Sequence, residues 1–155
     1  MTLPISEQIV QNVITTLRGI TVAGGYYQDI GQVLRYTGSP SLEFTRWPSC
    51  HVDVDHDGKD DEADFNWQDC KLRLKIYGYV DDQADPGQAL SLLAADIEKI
   101  LAVDNGRAGL AEKTHVSDID WIVIPQGVES WTGEVQMDIE IWYKHRRDNP
   151  ADQTE

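Results

Sequence analysis

Residues 70–80 read Cys70-Lys-Leu-Arg-Leu-Lys-Ile-Tyr-Gly-Tyr-Val80. Cys70, Leu72, Leu74, Ile76, Gly78 and Val80 fall on one side of a period-two pattern, and Lys71, Arg73, Lys75, Tyr77 and Tyr79 fall on the other. Strict alternation of this length marks a half-buried strand, because successive side chains of a strand point to opposite faces. A helix would scatter the same apolar residues around its circumference. The stretch reads as a main strand of the only sheet, with an acidic run just before it and an amphipathic segment just after.

That segment opens on Asp85 and Pro86, an N-cap and first-turn pair. Ala89, Leu90, Leu93, Ile97, Ile100 and Leu101 then recur at three and four residues, which predicts a helix ending before Asn105-Gly106. Beyond a polar loop at Gly106–Thr114, residues Val116–Ile124 read as a strand. Its end, Trp121-Ile-Val-Ile124, is apolar on both faces, so it is either central or covered by a partner. Gly127–Thr132 turns the chain. Val135, Met137, Ile139, Ile141 and Tyr143 then alternate with polar neighbours in a closing strand, antiparallel to the one before it.

Toward the N-terminus, Cys50, Val52 and Val54 alternate as the inward face of another strand, with Pro48 at its entry. Tyr26–Tyr36 is predicted as a strand with Gly31 at a bulge, and Thr37-Gly38-Ser39-Pro40 as a turn. Ile9, Val10, Val13, Ile14, Leu17 and Ile20 form one helical stripe, giving a first helix over about residues 5–19. The expected fold is α+β: a mostly antiparallel sheet of four or five strands with two helices packed on one face. Residues 1–145 form one domain, and 146–155 a polar, flexible tail.

The chain has 155 residues, a net charge of −14 and a pI near 4.5. Such a surface repels nucleic-acid backbones and anionic membranes, which argues against DNA binding by a basic groove. No apolar run approaches the roughly 20 residues needed to span a bilayer. The N-terminus lacks a cationic region followed by an apolar core, so no signal peptide is read there. Two cysteines make no disulfide framework, and a reducing site of synthesis is the expectation.

Asp53–Asp69 carries eight acids against one lysine and reads as a long connection between two strands. If it closes a hairpin centred near Asp60, Cys50 lies opposite Cys70. Within it, Asp53, Asp55 and Asp57 with Gly58, Lys59, Asp61 and Asp64 match positions one, three, five, six, seven, nine and twelve of a calcium loop. The match is partial: position twelve is an aspartate, position eight is Asp60 rather than an apolar residue, and a strand rather than a helix precedes. The plainer reading is a solvated acidic loop. Cys50, His51, His56 and Cys70 lack zinc-ligand spacing, and Cys50 reads as a core residue with His51 on the opposite face. His115 and His145 read as surface residues. No nucleophile elbow, phosphate loop or dinucleotide fingerprint occurs, and the chain is not expected to be an enzyme. Of the five tryptophans, Trp121 is expected to pack, whereas Trp131 and Trp142 are equally readable as packing or as partner surface.

In its order of elements the chain resembles the tail terminator (tail completion, or minor tail) proteins of long-tailed bacteriophages. The matching pieces are the opening helix Ile5–Ile20, Gly25-Tyr26-Tyr27 leading to Val33-Leu34-Arg35, Trp47-Pro48-Ser49-Cys50-His51-Val52, Leu72–Val80, the helix Gly87–Leu101 and the strand Val135–Tyr143. The resemblance is one of arrangement, and the family has no catalytic residues to carry over. It implies a virion tail protein, assembled in the host bacterial cytoplasm, that forms a ring, typically hexameric, on the head-proximal end of the tail tube. Its partners would be its own copies, the tail tube protein and the head–tail connector, with DNA passing through the lumen unbound. No cofactor and no membrane are implied. The cationic side of the central strand (Lys71, Arg73, Lys75), the acidic run, Trp131 and Trp142 are the candidate contact residues. The alternatives are a calcium-dependent binding module built on Asp53–Asp64, or another head–tail joining protein.

Overall fold

A computed structural model describes residues 2–38, 44–60, 65–123 and 131–154. In chain order these form helix α1 (Ile5–Leu17), strands β1 (Gln32–Arg35), β2 (Ser49–Asp60) and β3 (Trp67–Val80), helix α2 (Pro86–Val103), and strands β4 (Lys113–Val123) and β5 (Gly133–Arg146). The five strands make one sheet in the order β1-β2-β3-β5-β4. All neighbours pair antiparallel except β1 and β2, which run parallel. The fold is α+β.

The alternation at 70–80 does what its period dictates. Leu72, Leu74, Ile76 and Val80 are buried, and so are Val135, Met137, Ile139 and Ile141 directly across on β5. Cys50 and Val52 continue this inner face on β2. Val54, expected inward, is 39% exposed, because β1 ends opposite Val52 and no longer flanks β2 there. The two helices close the inner face. Ile5, Ile9, Val10, Val13, Ile14 and Leu17 of α1, and Leu90, Leu93, Ile97, Ile100 and Leu101 of α2, join the strand residues in a single hydrophobic cluster.

Asp85 caps α2 as its sequence predicts, accepting the Gln88 N–H at 3.0 Å. Two glycines let α2 approach closely. A Cβ on Gly78 would lie 2.8 Å from Leu93 Cδ2 and 2.8 Å from Val135 Cγ1, and one on Gly133 would meet Leu90 Cδ1 at 2.7 Å. Gly78→Ala therefore overpacks the helix–sheet seam. We expect it to cost about 1–3 kcal/mol, read as a lower denaturant midpoint with an unchanged slope; an unchanged midpoint would mean that Leu93 can swing aside.

Three segments depart from the sequence reading. Tyr26–Tyr36 is not one strand: a 3-10 turn at Val22–Gly24, capped by Thr21, precedes a β1 of four residues. Gly31 marks a close backbone approach rather than a bulge, since its N–H donates to Pro48 O at 2.7 Å and a Cβ would strike Arg46 and Trp47 backbone at 2.8 Å. Asp53–Asp60 is strand, not loop, and the hairpin register sets Cys50 against Gly78 and Lys59 against Cys70. The hairpin turn therefore lies beyond Asp60, and residues 61–64 of it fall outside the described residues. β4 is an edge strand, not a central one, and Trp121, expected to pack, is 53% exposed. Ile124, most of the predicted turn at Gly127–Thr132, and the second half of that at 37–40 also lie outside the described residues.

At the C-terminus, β5 continues to Arg146 and the polar segment after it folds back. Ile5 N–H donates to Pro150 O at 2.9 Å, supplying the partner that the uncapped start of α1 lacks. Gln153 Nε2 donates to Leu110 O at 2.8 Å and Lys144 O at 2.7 Å. Among the described residues no helix is long and apolar enough to cross a membrane.

Candidate interaction surface

The outer face of the sheet, opposite the helices, carries the second half of each alternation. Lys71, Arg73 and Lys75 of β3 stand directly across from Trp142, Glu140 and Asp138 of β5. Lys71 Nζ lies 3.1 Å from Glu140, Arg73 Nε 3.6 Å from the same carboxylate, and Lys75 Nζ 3.9 Å from Asp138. The three cations expected to form a patch are thus each matched by an acid on the next strand. Pairs this exposed add little stability individually. Their effect is a charge-balanced, solvent-facing ladder in the middle of the sheet.

One end of this face is aromatic. His51 and Tyr79 are buried beneath Phe44, whose ring centroid lies 4.5 Å from His51 and 5.4 Å from Tyr79. Trp131 packs edge-on against Tyr79 at 5.1 Å and reaches Trp47 at 6.3 Å. This places Trp131 in a packed cluster. At the other end, Trp142 is half-buried beneath Lys71 Nζ at 5.1 Å and Lys113 Nζ at 4.8 Å, a pair of cation–π contacts.

Among the described residues His51 Nδ1 meets Tyr79 OH at 3.3 Å and its Nε2 has no partner. Burial pushes its pKa below the ordinary 6.5, with the Asp53 charge pulling the other way. Because the folded value lies lower, the unfolded chain takes up the proton first as pH falls, and stability declines below about pH 6.5. We expect the melting temperature to fall more steeply from about pH 7 to about pH 5 in the wild type than in His51→Phe. Parallel profiles would show that the ring titrates freely in the folded state. His145, expected at the surface, is buried beside Tyr143, with ring centroids 6.1 Å apart.

The acidic run takes its shape from the strand across from it. Asp53 faces Lys75, His56 faces Arg73 and Gly58 faces Lys71. Among these pairs only Asp53–Lys75 sets an acid against a cation, and Asp60 faces Asp69, so backbone pairing with the long β3, more than charge, makes strand of a segment with little apolar alternation. Extended backbone advances about 3.3 Å per residue and carries Asp53, Asp55 and Asp57 along a line, with a register shift at Asp55. Asp57 instead gathers a local network. Tyr143 OH donates to its carboxylate at 2.8 Å, and Lys59 Nζ donates to Asp57 at 2.8 Å, Tyr143 OH at 3.0 Å and Cys70 Sγ at 3.3 Å. Burial works to lower the Lys59 pKa, but its bonds to Asp57 and Cys70 outweigh that and hold it high. Burial raises the Cys70 thiol, against the pull of Lys59. It pushes the Cys50 thiol up to about 12. Both thiols are therefore protonated and weakly nucleophilic near neutrality.

Of the proposed calcium set, Asp53, Asp55, Asp57 and Lys59 lie on β2, while Asp61 and Asp64 fall outside the described residues. Among the described residues no three His, Cys, Asp or Glu side chains are arranged to hold a metal.

The sequence reading missed two buried polar anchors that fix the frame of this surface. Asp96, fully buried on α2, accepts the Tyr27 N–H at 2.9 Å and the Gln28 N–H at 3.1 Å. Arg107, fully buried in the loop after α2, donates to the carbonyls of Leu101 and Asp104. The spacing of Asp96 inside an apolar stripe, between Leu93 and Ile97, was the one available hint that its carboxylate faces inward.

No known protein family matches the chain, and no curated protein is significantly similar to it.

Proposed function

We propose that this chain is a structural protein of a phage tail, acting as tail terminators do: it assembles as a ring on the head-proximal end of the tail tube, stops tube growth and offers a surface to the head connector. The observation that carries the reading is the arrangement itself. Helix, short strand, long hairpin, helix and closing hairpin build one sheet with both helices on its inner face, in the order that the resemblance rests on. The middle of the outer face and the β4 margin carry no covering element among the described residues, and three large apolar side chains stand exposed at that margin.

The chemistry of the surface agrees with work by protein contact. Cations and acids alternate across the outer face instead of converging on one reacting centre, and both thiols are held protonated. An acidic surface of net charge −14 repels phosphate, as a channel that lets DNA slide through must.

The test is tube growth. Tail tube protein polymerised with the purified chain should give short tubes, capped at one end in electron micrographs, with length falling as the chain is increased. Tubes of unchanged length at saturating chain, with no density at either end, would refute the proposal.

A further inference from the structure

β4 forms one margin of the sheet, and the protection of its outer edge stops partway along. In an antiparallel pair, alternate residues turn their backbone N–H and C=O away from the partner strand. Thr114 N–H is taken by Asn105 Oδ1 at 2.6 Å and Ile119 N–H by Asp118 Oδ1 at 3.0 Å. A register shift between Val116 and Asp118 further blunts this half of the strand. Beyond Ile119 the same parity turns Trp121 and Val123 outward. There Trp121, Ile122 and Val123 are 53%, 48% and 58% exposed. Three consecutive large apolar residues on an edge with no partner strand among the described residues make a strand that invites pairing.

We propose that this edge is the seat for a second copy of the chain, docked by its β1 margin, so that copies join head to tail. The inference rests on the ring reading above and names its contact. Charge selects the occupant. Asp118 and Asp120 are exposed on β4, and pairing two β4 strands about a two-fold axis would bring these carboxylates toward their own copies. The opposite margin is cationic: Arg18 donates to Val33 O at 3.1 Å on β1, Arg35 ends that strand, and Arg46 stands exposed beside Gly31. The carboxylate in contact there is Glu7, on Arg35. Tyr36, 36% exposed just after β1, supplies an apolar surface for the β4 tip. A contact between two different margins is heterologous, and it yields a ring when its rotation closes.

The test is sedimentation velocity over a concentration series on four chains: wild type, Val123→Pro, the pair Asp118→Lys with Asp120→Lys, and the pair Arg35→Glu with Arg46→Glu. Circular dichroism checks that each is folded, and Trp121→Asp substitutes if the proline variant is not. Val123→Pro removes one outward N–H and leaves the bonds to β5 in place. We expect the wild type to assemble and each variant to assemble more than about tenfold more weakly. An equimolar mixture of the two charge-reversed chains should recover assembly. If the arginine-reversed chain assembles like the wild type, the β1 margin is not the occupant. If the β4 variants assemble normally, the edge assignment fails and the ring reading survives. A wild type that stays monomeric at every concentration overturns the edge assignment, and the ring reading falls with it only if tube length is also unchanged.

Discussion

Arg107→Ala should lower the melting temperature by on the order of 10 °C, the largest effect of any single substitution considered. Arg107 is fully buried, and its guanidinium closes the C-terminal end of α2 by donating to Leu101 O at 2.5 Å and to Asp104 O. The last carbonyls of a helix have no partner within it, and a cation suits the negative end of the dipole. Truncation leaves those carbonyls buried and unbonded and opens a void the size of a long side chain. Together these amount to about 3–5 kcal/mol. Burial presses the Arg107 pKa downward, against the pull of Asp104. Among the described residues its Nε and Nη1 have no partner. Both bonds leave from the single nitrogen Nη2, so Arg107→Lys should recover part of the loss through its ammonium, and only part because the shorter unbranched side chain leaves the volume of the planar guanidinium unfilled. A drop of less than about 2 °C for the alanine variant would show that water reaches both carbonyls.

Asp96→Ala is the second large effect, about 2–4 kcal/mol. The carboxylate sits inside the apolar stripe of α2 and ties down the segment before β1 through the Tyr27 and Gln28 amides. Two further bonds from the same segment reach α2: Gln28 Nε2 to Ala89 O at 3.1 Å, and Lys99 Nζ to Gly25 O at 2.6 Å. Hydrogen exchange separates this anchor from general loosening. The Tyr27 and Gln28 amides should lose protection in Asp96→Ala well before the β3 and β5 amides do. Uniform loss across the sheet would mean that Asp96 supports the core as a whole and not this segment.

The legible parts of the fold were those where one face is buried and the other is wet. The β3 and β5 alternations and the α2 stripe with its Asp85 cap place the sheet and one helix without a partner being known. Reading failed where a distant residue decides the conformation. The acidic run forms strand because β3 offers a long partner that pairs with it as far as Asp60, and neither period nor propensity in Asp53–Asp60 announces that. Gly31 is needed for the approach of Arg46 and Trp47, fifteen or so residues away in a segment of unrelated pattern. The apolar end of β4 was ambiguous for a physical reason. Residues apolar on both faces suit a central strand and an edge strand awaiting a partner equally well, and only topology separates the two. At the surface, the sequence named the cations of β3 correctly as outward-facing. It could not show that Asp138 and Glu140 would balance them, since strand adjacency is a long-range fact.

In the account proposed above, the inner face makes the domain and the middle of the outer face and the β4 margin serve contacts with other chains. Native mass spectrometry of the purified chain, first treated with chelator and then resupplied with calcium, tests that claim most directly. The account predicts one closed assembly of fixed subunit number, growing in with concentration and unchanged in mass by calcium. A strict monomer that stays monomeric beside tail tubes would contradict it, and one that gains the mass of calcium would point instead to a metal-dependent binding module.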